Sequence, residues 1–294
     1  MLHARLRNRF SRSGLGAAPL AVGGCRIRRL WPGHACFANG AVASLLAALL
    51  VAGTAGAQET AAYRGLLERH VRPGRIGAVR LTLVDYAALR RDPLYGQALA
   101  DLAAADPEAL PGDRARFAFW INAYNLLAIK MVVDHYPTAS IRDAGGFLSP
   151  VWKKTAGIVV GKPRSLDDIE HGILRPKFHD PRVHVAIVCA SVSCPDLRVE
   201  PYDGARLEEQ LDEAARTFLS NPAKGLLVDE AAKTVSVSSI FKWFGDDFTA
   251  VGGVLAFVRA KADAAVAQRV AGRRDAELGW LDYDWSLNDR ARAE

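Results

Sequence analysis

The chain has 294 residues, 38 basic and 32 acidic, a formal net charge of +6, and 50% of its residues are hydrophobic. Seven arginines and no acidic residue fall within positions 1–57, so the rest of the chain carries 31 basic against 32 acidic residues, a net charge of −1. That remainder has no basic excess with which to neutralise phosphates, which excludes a nucleic-acid partner, and it is long enough for one large domain with its own core.

Residues 1–57 combine a basic region, the apolar run "AVASLLAALLVAG" and the small-residue stretch "TAGA". This is the pattern of a secretory signal peptide cleaved near Ala57. The apolar run is shorter than the roughly 20 residues that span a bilayer. The expectation is a periplasmic or secreted protein with no transmembrane helix in the mature chain. Cys25 and Cys36 leave with the leader, and Cys189 and Cys194 are the thiols that remain.

Residues 58–74 read as a short helix, and "AVRLTLVDYAALRRDPLY" as a strand followed by a helical turn. "YGQALADLAAADPEAL" is helical and stops near Pro111. "DRARFAFWINAYNLLAIKMVVDHY" predicts the principal helix, with Asp113 as N-cap. Its stripe of Phe117, Trp120, Ile121, Tyr124, Ala128, Met131 and Val132 recurs at three- and four-residue spacing. "VWKKTAGIVVGKPRS" reads as a hairpin. "SLDDIEHGILRP" reads as a helix opened by Ser165 and Asp168 as a capping box and closed by Pro176. "VHVAIVC", residues 183–189, is rich in valine and isoleucine and reads as a buried strand. After it come an amphipathic helix ended by Pro222, a pair of strands over "KGLLVDEAAKTVSVSS", a short helix at "IFKWFGDDF", an alanine-rich helix, and a last strand at "LGWLDYDWSLN". Helices cluster early and late with strands between. The predicted class is therefore α+β, a single domain over residues 58–294 with helices packed around a small, largely antiparallel central sheet.

The chemistry-bearing residues gather around 183–195. Were residues 189–194 extended, the two cysteine Cα atoms would lie roughly 16 Å apart, whereas a disulfide needs about 4.4–6.8 Å. Pairing therefore requires the chain to fold back after Cys189, which the small residues before Pro195 permit. A structural staple, a metal clip and a reactive thiol all remain open at this point. His184 lies five residues before Cys189, and strand alternation would put them on opposite faces. His171 and Glu170, on the preceding helix, offer a second base and its orienting carboxylate. Ser191, Ser193 and loop N–H groups are candidates for stabilising an oxyanion. Asn122 and Asn125, three residues apart on an apolar helix, predict hydrogen bonds to a loop or a ligand. The spacing His-x4-Cys-x4-Cys fits no standard zinc pattern, so no metal and no cofactor is expected.

Several stretches together, "FWINAYN", "LDDIEHGILRP", "HVAIVCASVSCP", "LSNP", "SSIFKWFGDDF" and "LDYDWSLN", resemble the family called domain of unknown function 547, from about residue 79 to residue 288. The matching positions include Tyr124, Asn125, Glu170, Arg175, His184, Cys189, Ser191, Ser193 and Cys194. The family carries no established activity. In some eukaryotic relatives the domain follows a glutaredoxin-like region, and the resemblance therefore implies thiol chemistry. The leading expectation is a thiol-dependent enzyme acting by acyl transfer, amide hydrolysis or thiol–disulfide exchange on a small-molecule or protein substrate. Cys194 or Cys189 would be the nucleophile and His184 or His171 the base. Glu170 or Asn122 would orient the base, and Tyr124, Asn125 and Arg175 would line the site. The alternatives are a binding module braced by a Cys189–Cys194 disulfide and a metal or small-ligand carrier.

Overall fold

The computed structural model describes residues 61–146, 150–274 and 277–293. The leader, its cleavage point near Ala57, Cys25 and Cys36 lie outside the described residues, which all belong to one compact unit, Ala47–Glu294.

A first helix, α1, covers 61–70 and gives way at once to β1 (Val71–Ile76), which pairs antiparallel with β2 (Val79–Val84). The expected helix over 58–74 is thus cut short, because Val71 joins a hairpin whose register runs Val71 to Val84. The one-turn helix α2 (Tyr86–Leu89) leads to α3 (Pro93–Ala104), which starts at Asp92 as N-cap with proline at its first position, where a missing N–H costs nothing. Next comes α4 (Gly112–Asp134), 23 residues and about 35 Å long. Its N-cap is Pro111 rather than Asp113, and the helix starts at Gly112, two residues earlier than expected. Asp113 instead sits in the first turn, where a carboxylate complements the helix dipole. All seven residues of the predicted stripe are buried, as are Ala118, Ala123, Leu126, Leu127 and Ile129 between them. The helix is therefore surrounded by the core.

The hairpin of β3 (Thr155–Val159) and β4 (Lys162–Ser165) forms as expected. It feeds a continuous helical stretch made of α5 (Leu166–Ile169), a π turn (Glu170–Leu174) and α6 (Arg175–Phe178). The capping box of Ser165 and Asp168 is present. Pro176 does not close the helix. The chain widens into the π turn, where Arg175 N–H donates five residues back to the Glu170 carbonyl, and so passes the proline. The end comes at His179 in the left-handed conformation.

The predicted strand at 183–189 does not form. Pro181–Val185 is a 3-10 turn capped by Asp180, and 186–190 is irregular. The run is apolar because it lies between two core clusters. Val183, Ala186, Ile187 and Val188 belong to the one around α4, while Val185 belongs to the one built from the C-terminal half. Among the described residues no strand pairs with it, and the Asn125 amide takes that place. Its Nδ2 donates to the Ala186 carbonyl (3.0 Å) and its Oδ1 accepts from Val188 N–H (2.9 Å).

The C-terminal half holds α7 (Leu207–Leu219), then β5 (Leu226–Asp229) and β6 (Thr234–Ser238), the expected antiparallel pair. After it come α8 (Ser239–Trp243) and a 3-10 segment (Gly245–Val251). The alanine-rich helix divides into α9 (Val254–Lys261) and α10 (Ala264–Arg269). The last strand, β7 (Leu278–Leu281), adds parallel to β6. The class is α+β, with the strands shared among three small sheets. Among the described residues no helix is long and apolar enough to cross a membrane.

Removing the Asn125 amide leaves a buried carbonyl and a buried N–H without partners, each costing about 1–3 kcal/mol. Asn125→Ala is expected to lower the unfolding free energy by on the order of 3 kcal/mol in a urea titration followed by circular dichroism. A loss within about 0.5 kcal/mol, the range of a neutral surface change, would rule out this role.

Candidate functional site

Residues 189–195 turn back sharply. Ala190 adopts φ +60°, and the segment docks on the C-terminal stretch 284–288. Val192 N–H donates to the Ser286 carbonyl, Ser193 N–H to the Asp284 carbonyl, and Asn288 N–H to the Ala190 carbonyl. A single bridge joins Ser191 to Leu287. The exit of the turn is clamped by Lys224, whose fully buried ammonium donates to the Cys194 carbonyl and to Asp196 Oδ1, both at 2.7 Å. This folding-back brings the two cysteine Sγ atoms to 3.1 Å. Both are free thiols, and no disulfide joins them.

The two thiols differ in setting. Cys194 is 4% exposed and Cys189 is half-buried. Cys189 Sγ also contacts Ser191 Oγ at 3.1 Å and the Tyr283 hydroxyl at 3.3 Å. Burial pushes the Cys189 thiol up, but hydrogen bonds from Cys194, Ser191 and Tyr283 outweigh it and bring the thiol down to about 6. Burial and the neighbouring Cys189 charge push Cys194 the other way, well above the ordinary thiol range. The pair therefore ionises once with ease, on the more accessible sulfur, and resists a second ionisation.

Both sulfurs open onto a cavity of about 310 Å3 that Glu170, His171, His184 and Tyr124 also line. The residues singled out around the thiols in the sequence thus converge in one concave site. The face argument that separated His184 from Cys189 does not apply, because His184 stands on a 3-10 turn. His184 Nε2 lies 2.7 Å from Asp247 Oδ2, and its ring stacks on Phe244 at 4.1 Å. Arg175 holds the same carboxylate with two hydrogen bonds, Nε to Oδ2 at 2.6 Å and Nη2 to Oδ1 at 2.8 Å. These hold Asp247 at about 2, below the usual carboxylate range. Burial takes His184 down to about 4 in spite of the Asp247 hydrogen bond, so its imidazole is neutral at pH 7. The neutral ring donates from Nε2 to Asp247, and the bare Nδ1 faces Glu170 Oε1 at 3.9 Å. Glu170 is 9% exposed and accepts from the Tyr124 hydroxyl at 3.4 Å. Burial pushes it up to about 7, against the opposing pull of Arg175 and Tyr124. His171 Nδ1 accepts from Arg175 Nη1 at 2.6 Å, and burial with the Arg175 charge lowers its pKa.

Other expected site residues fall elsewhere. Asn122 exchanges two hydrogen bonds with the Tyr202 backbone beside a different cavity, and it braces that loop rather than orienting a base. Asn125 lies under the site and holds the backbone before Cys189. Ser193 Oγ accepts from Asp284 N–H, which ties down the turn, and Ser191 Oγ touches Cys189 Sγ. Among the described residues no hydrogen bond joins either sulfur to an imidazole, and no group of three His, Cys, Asp or Glu side chains is placed to hold a metal ion. Sequence reasoning missed Asp247, Tyr283 and Lys224. Asp247 and Tyr283 lie inside "IFKWFGDDF" and "LDYDWSLN", aromatic stretches whose isolated polar residues were the available signal. Lys224 looks in sequence like any surface lysine.

A family model described as "Protein of unknown function, DUF547" matches residues 107–219, a segment that contains Tyr124, Glu170, His171, His184 and both thiols but ends before Asp247 and Tyr283. No curated protein and no solved structure matches the chain.

Because Glu170 titrates at about 7 in the fold against 4.5 ordinarily, the folded chain keeps a proton that the unfolded chain gives up. Its stabilising effect is complete below about pH 4.5 and is lost as pH rises through about 7, on the order of 3 kcal/mol in all. Cys189 and His184, both lowered in the fold, contribute slopes of the opposite sign, so the test is a difference. Between about pH 5 and pH 8 the urea stability of Glu170→Gln, which stays neutral, is expected to gain on that of the parent chain by on the order of 2 kcal/mol. An unchanged pH slope in the variant would show that Glu170 is not the titrating group.

Proposed function

We propose that this chain, a member of the DUF547 family, is a thiol–disulfide oxidoreductase whose redox pair is Cys189 and Cys194. The observation that carries this reading is the 3.1 Å contact between two unequal sulfurs. One is half-buried and readily ionised, the other is buried and held protonated, and this is the division of labour between an attacking and a resolving thiol. The Cys189 thiolate attacks one sulfur of a substrate disulfide. The substrate S–S bond breaks, a mixed disulfide forms, and the departing thiolate takes a proton from water. Cys194 then loses its proton to solvent and attacks Cys189 Sγ, closing the Cys189–Cys194 disulfide and releasing the second substrate thiol. Two electrons pass from the dithiol to the substrate, and the reverse sequence oxidises a substrate dithiol.

Acyl transfer or amide hydrolysis fits less well. A cysteine hydrolase activates its thiol through a base within hydrogen-bond reach. Here Cys189 is lowered by another thiol, a serine and a tyrosine, and among the described residues no imidazole is hydrogen-bonded to either sulfur: His184 Nε2 meets Asp247 and its Nδ1 faces Glu170. An exported location after cleavage near Ala57 belongs to the same proposal, because an oxidising compartment supplies disulfide substrates and permits the oxidised form of the pair.

Alkylation of the reduced protein with iodoacetamide is expected to label Cys189 with a rate midpoint near pH 6. Cys189→Ser should abolish exchange with a chromogenic disulfide, and Cys194→Ser should accumulate the mixed disulfide, detectable by intact-mass spectrometry. A midpoint in the ordinary thiol range near 8.5, or a Cys189→Ser variant that still exchanges, defeats the proposal.

A further inference from the structure

One wall of the thiol cavity is a continuous run of aromatic rings. Trp152 and Trp285 have centroids 6.0 Å apart, Trp285 and Tyr283 are at 4.5 Å, and Tyr283 and Trp243 are at 4.8 Å. Trp243 also stacks on Trp285 at 5.6 Å with 20° between the planes. The run passes the sulfurs, since Tyr283, between Trp285 and Trp243, places its hydroxyl 3.3 Å from Cys189 Sγ. Its outer end is open, because Trp243 is 48% exposed. Ile187 and Ile240 extend the apolar lining. The ionisable part of the lining is acidic or neutral. It includes the carboxyls of Asp167 and Glu170 and two histidines, and no lysine or arginine.

We propose that the preferred substrate is a disulfide carried by an apolar, aromatic-bearing peptide segment, seated with a bulky side chain against Trp243, Trp285 and Tyr283 while its sulfur meets Cys189. This rests on the oxidoreductase reading and names the substrate class of that site. An exposed tryptophan beside a reactive sulfur keeps a large apolar face in water until something covers it, and aromatic rings stack favourably on such faces. A small polyanionic disulfide has no apolar group to cover those rings, and with Arg142 5.3 Å over Trp285 and Arg175 5.2 Å over Phe244 the charge around the cavity is mixed, so the discrimination rests on the aromatic contact.

The test compares exchange rates of the reduced full chain with two symmetrical peptide disulfides, one with Phe and Leu flanking the half-cystine and one with Ser and Gly. The expected result is a kcat/KM at least tenfold higher for the Phe/Leu peptide. In Trp243→Ala that ratio falls towards one. In Trp280→Ala, exposed on β7 and outside the cavity, it is retained. Equal rates for the two peptides, or an unchanged ratio in Trp243→Ala, overturn the proposal. A parallel titration follows tryptophan fluorescence as the Phe/Leu peptide binds with serine in place of its cysteine. Binding that is lost in Trp243→Ala, with no exchange on any disulfide, defeats the oxidoreductase reading and leaves aromatic recognition standing. Neither binding nor exchange defeats both.

Discussion

The site depends first on the pair of hydrogen bonds between the Asn125 amide and the backbone of residues 186 and 188. This backbone is buried between two apolar clusters; the 3-10 turn before it answers the N–H groups of Ala186 and Ile187, and the Ala186 carbonyl and Val188 N–H are answered by the Asn125 amide. A primary amide presents a donor and an acceptor side by side, as an adjacent strand would. With that anchor in α4, which is itself enclosed by the core, the next residue, Cys189, emerges at a fixed place. The cost of a polar side chain in the middle of α4 is offset by ordering the loop that carries Cys189 and Cys194.

The second half of the arrangement comes from the other end of the chain. The stretch 284–288 shares three backbone hydrogen bonds with the thiol turn, accepting two and donating one, and Tyr283, immediately before it, reaches Cys189 Sγ. Lys224 completes the clamp at Cys194. A buried ammonium is tolerable only when its donors are used, and it has Asp196 and a carbonyl. The turn is thus gripped from three directions, and Ala190 is held in a left-handed conformation that a non-glycine residue avoids when free.

Within the cavity, neighbouring groups of one kind are driven apart in their protonation. Asp247, bound by Arg175, stays ionised, while Glu170, buried with only a tyrosine hydroxyl, holds its proton up to about pH 7. Cys189 ionises early and Cys194 late. Burial acts on all four, and the number of hydrogen bonds offered to the charged form decides the outcome. The π turn contributes here too. It carries Glu170 and His171 and is followed directly by Arg175, whose side chain reaches Asp247 in the C-terminal half, so the acidic, imidazole and sulfur groups line one hollow.

The hairpins at 155–165 and 226–238, the long buried helix and the capping box at Ser165 were legible in the sequence, because turn chemistry, caps and apolar periodicity are properties of neighbours along the chain. So was the place where Cys189 and Cys194 meet, since they are the two thiols of residues 58–294 and the small residues between them permit the chain to fold back. Tertiary structure alone decided that 183–189 is not a strand. An apolar run signals burial, but its conformation follows from which group answers its N–H and C=O. That group is Asn125, 61 positions from Ala186. The same holds for Arg175 with Asp247, 72 positions apart, and Cys189 with Tyr283, 94 apart. Buried polar groups find their partners through packing, and packing distances are not written in the local sequence.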